Sequence, residues 1–269
     1  MNLLKVRTAD DILTEPDVGI DWLWEPYLPL GTLAVLASYP KVGKSTLAYP
    51  LALAIQRGVP FLGGATKQKN VLILAVEEHP QDVQRRLRAL RAHDVPLHLH
   101  RGGLPPTAAL HLELREYVRA QQIGLVILDT LAHFWRGIVD DENDNMQVLK
   151  AVAPFLELAR ATGAAVLLLH HERKSAGTAG KTIRGGGALL GIADQAFLYG
   201  YTRAGRRSAK RVLETIGRYA ESPASQVVLY ERGAFRVDRT DPEQIRGGFD
   251  APTPPTRPPE EADGGDGGR

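Results

Sequence analysis

The chain has 269 residues, is 43% hydrophobic and 24% charged, and carries 33 basic against 31 acidic residues for a net charge of +2, the profile of a globular protein with a sizeable core. It contains no cysteine, which excludes disulfide scaffolds, thiolate nucleophiles and Cys-ligated zinc or iron–sulfur centres and fits a reducing cytoplasm. No apolar run approaches the ~18 residues of a membrane span, and the N-terminus lacks a secretory pattern, so a cytoplasmic protein with no membrane partner is expected.

Residues 1–21 form an N-terminal arm, expected as a subunit contact. From Trp22 the sequence alternates short apolar runs with amphipathic stretches, the signature of βαβ units around a parallel sheet. The predicted strands are Thr32–Ala37, Asn70–Val76, Leu125–Leu128 and Ala164–Leu169, each apolar nearly throughout, as for strands covered on both faces. Helical periodicity predicts helices over Ser45–Gln56, Gln81–Ala92, Ala109–Gln122 and Asn145–Ala161. After Ala193 the segments QAFLYGY, RVLETIGR, QVVLYER and AFRV predict consecutive antiparallel strands. The expected fold is a three-layer α/β sandwich, mostly parallel with a C-terminal antiparallel extension, over residues 22–238. Residues 239–269 hold 6 Pro, 6 Gly, 4 basic and 7 acidic residues. They offer too little apolar surface to offset their ordering entropy, so a disordered acidic tail is expected. The rest of the chain then carries 29 basic against 24 acidic residues. That mild excess permits a nucleic-acid partner without demanding one.

The first predicted strand runs into Ser38-Tyr39-Pro40-Lys41-Val42-Gly43-Lys44-Ser45-Thr46 and then a helix. This matches the phosphate-binding P-loop G-x-x-x-x-G-K-[ST], except that Ser38 replaces its first glycine. Inward-pointing N–H groups from Pro40 to Thr46 would cradle phosphates, Lys44 would reach the β- and γ-phosphates, and Ser45 would ligate Mg2+. ATP and Mg2+ are the implied cofactors. Asp129 ends the strand LVIL where a second Mg2+ ligand is needed. Glu77 and Glu78 follow the strand NVLILAV; neighbouring side chains point to opposite faces, so one of them, taken as Glu77, polarises the attacking water, and Glu78 is left solvated. Arg85, Arg86, Arg88 and Arg91 read as a solvated helix face.

Together, SYPKVGKST, AVEEHPQDVQRRL, LVILDTL and LLLHHERK resemble the RecA-like ATPases of the RepA type, hexameric replicative helicases of plasmids and phages, over about Trp22 to Val237. The resemblance implies that Glu77 is the catalytic glutamate, Asp129 the Walker B aspartate and His171 the sensor of the γ-phosphate. It implies that the glycine-rich segment after His171 lines a ring's central channel, with Lys174, Lys181 and Arg184 gripping a phosphate backbone. It also implies that Arg218, in Thr215–Tyr219, is an arginine finger serving a neighbouring subunit; the lysine that usually stands two residues earlier is Ile216 here. The basic run from Arg203 to Arg211 offers a second DNA contact. The resulting expectation is a homo-oligomeric, probably-sized-as-hexamer ring ATPase translocating on single-stranded DNA; the alternative is a regulatory or scaffold ATPase without unwinding.

Overall fold

The computed structural model describes residues 6–142, 144–171 and 186–246. The arm begins with a short helix, α1 (Ala9–Leu13), started by a Thr8–Asp11 capping box. None of its residues is buried. A ribbon of β1 (Trp22–Trp24) and β2 (Leu28–Pro29) then leads into β3 (Leu33–Ser38) and α2 (Lys44–Arg57). The chain continues through β4 (Asn70–Ala75), α3 (Pro80–Ala89), β5 (His98–Arg101), α4 (Ala108–Ala120) and β6 (Ile123–Asp129). Next come α5 (Leu131–Phe134), α6 (Asn145–Thr162), β7 (Ala165–His171) and α7 (Gly186–Ile192). It closes with β8 (Gln195–Tyr201), β9 (Lys210–Gly217), β10 (Ser225–Glu231), β11 (Ala234–Asp238) and α8 (Pro242–Ile245).

Nine strands make one sheet in the order β11-β10-β9-β8-β3-β7-β6-β4-β5. The six from β8 to β5 are parallel, and β9, β10 and β11 extend the β8 side in antiparallel fashion. Helices cover both faces because successive side chains alternate. On β3, Ala34 and Leu36 join one core with α2, whereas Leu33, Val35 and Ala37 join the other with α4 and α6. This is the three-layer sandwich that the apolar strands predict. Among the described residues no helix is long and apolar enough to cross a membrane.

The parallel order positions the site. β3, β4, β6 and β7 all end at the same edge, where Ser38 pairs with His171 and Ala75 with Asp129. Every chemistry-bearing strand end therefore faces one crevice.

Two differences from expectation have clear causes. The edge strand β5, sequence HLHR, carries one large apolar residue and is nowhere fully buried; a half-wet edge lacks the continuous apolar run that marks an inner strand. The tail expected from Arg239 onward starts later, since residues 239–246 pack on the sheet. Arg203 N donates to Ile245 O at 2.9 Å, Lys210 Nζ to Thr240 Oγ1 at 2.8 Å, and Arg246 pairs with Glu214 at 2.8 Å. Composition hides this, because the demand comes from Glu214, a carboxylate only 5% exposed that needs a cation. Residues 247–269 lie outside the described residues.

Arg246→Ala should lower unfolding stability by about 1–3 kcal/mol through the unpaired Glu214, whereas a chain ending after Arg246 should match the full chain. Urea unfolding of both tests this; equal stability of the alanine variant would remove the ion pair from the fold.

Candidate functional site

The P-loop turns between β3 and α2 through two left-handed residues, Lys41 (φ 66°) and Gly43 (φ 117°). Gly43 is the residue before the helix, and only glycine takes its φ without strain. Ser38, the departure from the usual first glycine, is fully buried at the end of β3. Its side chain has a use: Lys44 Nζ lies 3.2 Å from Ser38 Oγ and 3.4 Å from its carbonyl. Pro40 and Val42 complete the turn, Tyr201 Oη donates to Lys41 O at 3.0 Å, and Arg211 Nε to Val42 O at 3.4 Å. The antiparallel extension thus braces the loop from behind.

A cleft of about 470 Å3 in front of the loop is lined by Gly43, Lys44, Ser45, Thr46, Glu77 and Asp129, with Glu78, Arg86 and His171 at its sides. Lys44 Nζ stands 3.0 Å from His171 Nδ1. An ammonium only donates, so His171 accepts at Nδ1 and carries its proton on Nε2. That nitrogen lies 3.9 Å from Glu77 Oε2, and Thr130 Oγ1 donates to the same carboxylate oxygen. The His171 imidazole, with Thr130, holds the Glu77 carboxyl down at about 2 although partial burial opposes ionisation. Glu77 is therefore a carboxylate throughout the neutral range, with its charge facing the cleft.

Asp129 is 1% exposed. Burial pushes its carboxyl above the usual range, while a hydrogen bond from Ser45 and the charges of Arg86 and Lys44 pull it back. Its Oδ2 has no hydrogen-bond partner. A buried carboxylate oxygen without a partner, beside a serine hydroxyl in a phosphate loop, fits a hard divalent cation. Ser45 and Asp129 are the residues that would hold Mg2+.

The structure corrects the sequence reading at Glu78 and Arg86. Neither is solvated: they form an ion pair with side chains 20% and 24% exposed, and the Arg86 guanidinium lies 4.8 Å over the ring of the fully buried Tyr49. Arg86 bears on Asp129 as well. The sequence signal was available, since Glu78 and Arg86 are eight residues apart across the start of α3. However, four arginines crowd that helix, and only Arg86 turns inward.

Arg218 stands elsewhere. It follows β9 at the sheet edge opposite the P-loop, where it pairs with Asp194 at 3.5 Å and stays 64% exposed. Gly217 before it is fixed by packing, because a Cβ there would sit 1.4 Å from Gln195 Oε1. Arg218 cannot reach its own chain's P-loop. In the basic run, Lys210 pairs with Asp238 and Arg211 braces the loop, which leaves Arg203, Arg206 and Arg207 exposed. Lys174, Lys181 and Arg184 lie outside the described residues.

A family model described as an AAA domain matches residues 2–177, well over half of the chain. Among solved structures, the chain is similar to a KaiC-like protein of the hyperthermophilic archaeon Pyrococcus horikoshii, with a TM-score of 0.59 and 16% identity over 82% of this chain and 95% of that one. At that identity the likeness speaks for the fold, a RecA-like arrangement of a mostly parallel sheet with added antiparallel strands. Since the P-loop, the strand-end carboxylates and the matched family all agree, the chain belongs to the AAA domain family of P-loop ATPases.

Proposed function

We propose that the protein hydrolyses ATP with Mg2+ as one subunit of a ring, most plainly a hexamer, that moves on single-stranded DNA as a replicative helicase of a plasmid or phage. The observation that carries the hydrolytic part is the Lys44–His171–Glu77 chain beside Asp129. Lys44 and His171 are placed to meet the γ-phosphate, and Glu77 to orient a water behind it. The water oxygen bonds to the γ-phosphorus, the bond to the bridging oxygen breaks, and Glu77 accepts the proton; ADP and phosphate leave. Mg2+ held by Ser45 and Asp129 would neutralise the phosphate oxygens.

The ring part is supported by Arg218, whose distance from its own P-loop leaves a neighbouring copy as the only nucleotide it could serve. The arm supports it too, since Val6, Leu13 and Val18 are 83%, 82% and 89% exposed and bury nothing in their own chain. DNA contact is supported by the placement of Lys174, Lys181 and Arg184 in the segment that leaves β7 directly after His171. Contacts to the γ-phosphate and to a DNA backbone would then share one strand end.

Glu77→Gln should keep ATP binding and lose about 10²–10⁴-fold in turnover; undiminished hydrolysis would take Glu77 out of the role. Arg218→Ala should be inactive alone and regain turnover when mixed with Lys44→Ala subunits, which supply an intact arginine; absence of rescue at every ratio would remove the trans arrangement. Single-stranded DNA should raise the ATPase rate, less so as salt increases, and the Lys181→Ala, Arg184→Ala double variant should lose that stimulation. A rate indifferent to DNA would favour the regulatory ATPase.

A further inference from the structure

Across the P-loop from the phosphate side lies a second hollow, of about 310 Å3. Lys41, Gly43 and Thr46 line both, so the two are continuous along the loop. Beyond these shared residues the second hollow is bounded by Tyr199, Arg211, Tyr230 and Phe235, and its chemistry differs from that of the phosphate end. The rings of Tyr230 and Phe235 lie 4.5 Å apart with a 32° tilt, and Phe235 meets Phe61 edge-on at 6.0 Å. Tyr199, 2% exposed, forms the floor; its ring is 3.9 Å from where a Cβ on Gly43 would stand.

The polar groups of this hollow are committed inward. The Arg211 guanidinium lies 4.6 Å over the Tyr201 ring and donates to the carbonyls of Val42, Ser208 and Lys210. Ser208 Oγ accepts from Lys210 N at 3.0 Å. No carboxylate lines the hollow.

We infer that this hollow seats the base of the nucleoside triphosphate by stacking alone, and that the protein therefore accepts purine nucleoside triphosphates with little distinction between adenine and guanine. This rests on the phosphate site proposed above. A nucleotide is a linear chain with phosphates at one end and an aromatic base at the other. With the terminal phosphates at Lys44, the α-phosphate falls near Thr46, and the ribose and base continue into the hollow that Thr46 also borders. Telling guanine from adenine requires groups that answer opposite hydrogen-bonding patterns, above all a carboxylate to receive guanine's N1–H and N2–H2. The residues here present ring faces instead. A ring face senses the size of the partner's π-surface, which favours purines over pyrimidines and leaves the two purines nearly equal.

Titration calorimetry of the full chain with Mg2+ tests this, using ATP, GTP, CTP and inorganic tripolyphosphate. ATP and GTP should bind within about fivefold of each other and CTP more weakly than either. Tyr230→Ala should weaken both purine nucleotides by about tenfold and leave tripolyphosphate unchanged, whereas Tyr230→Phe, which keeps the ring, should bind like the unaltered protein. Three results would overturn the inference: a larger gap between ATP and GTP, unchanged purine affinity in Tyr230→Ala, or loss of tripolyphosphate binding in that variant, which would make the ring a brace for the loop. Failure of the phosphate site itself looks different. Then neither tripolyphosphate nor any nucleotide binds the unaltered chain, and the base assignment falls with it.

Discussion

The heaviest electrostatic demand in this molecule comes from Asp129, a carboxylate at the end of an inner strand with almost no access to water. A buried charge of this kind persists only where positive charge and hydrogen-bond donors surround it. Ser45, Lys44 and Arg86 answer from three directions, and each belongs to a different structural context: the first turn of α2, the P-loop and α3. Arg86 in turn is held by Glu78 and by the face of Tyr49. The crevice is thus built around one unsatisfied oxygen, and the parallel sheet is the frame that brings the four strand ends to it.

Much of this is legible in the sequence because inner parallel strands must be apolar throughout. LAVLA, NVLILA, LVIL and AAVLLL announce themselves, and the polar residues that interrupt them at their C-terminal ends (Ser38, Glu77, Asp129, His171) stand out for the same reason. The P-loop is legible because its chemistry fixes residue types at fixed spacing. What sequence hides is direction and partnership. Arg86 differs from Arg85 and Arg88 only in which way α3 turns it, a property of helix packing. Glu214 needs Arg246, but 32 residues separate them, and the proline- and glycine-rich surroundings of Arg246 disguise a residue that packs. The edge strand β5 is invisible for the opposite reason, since an edge need not be apolar.

Sheet topology also divides the chain's cations between two edges. Lys44 and Arg86 serve the crevice at the C-terminal ends of the parallel strands. Arg218, after an antiparallel strand, is carried back to the other edge, where with Arg160 it offsets the buried Asp194. Antiparallel β9 is what separates these groups, because reversing one strand moves its last residue across the full width of the sheet.

The place of β3 in the strand order has a consequence for how the protein is made. β3 is among the earliest strands in sequence, yet one of its two neighbours, β8, begins at Gln195. The segment that the family model matches, residues 2–177, ends before β8 exists. A chain of that length would leave β3 as a flat, wholly apolar edge with unpaired backbone groups, the kind of surface that recruits strands from other molecules. During synthesis the nascent chain carries that open edge until β8 emerges and closes it, so the interval between residues 177 and 201 is when this protein is most exposed to aggregation and most dependent on whatever shields it at the ribosome.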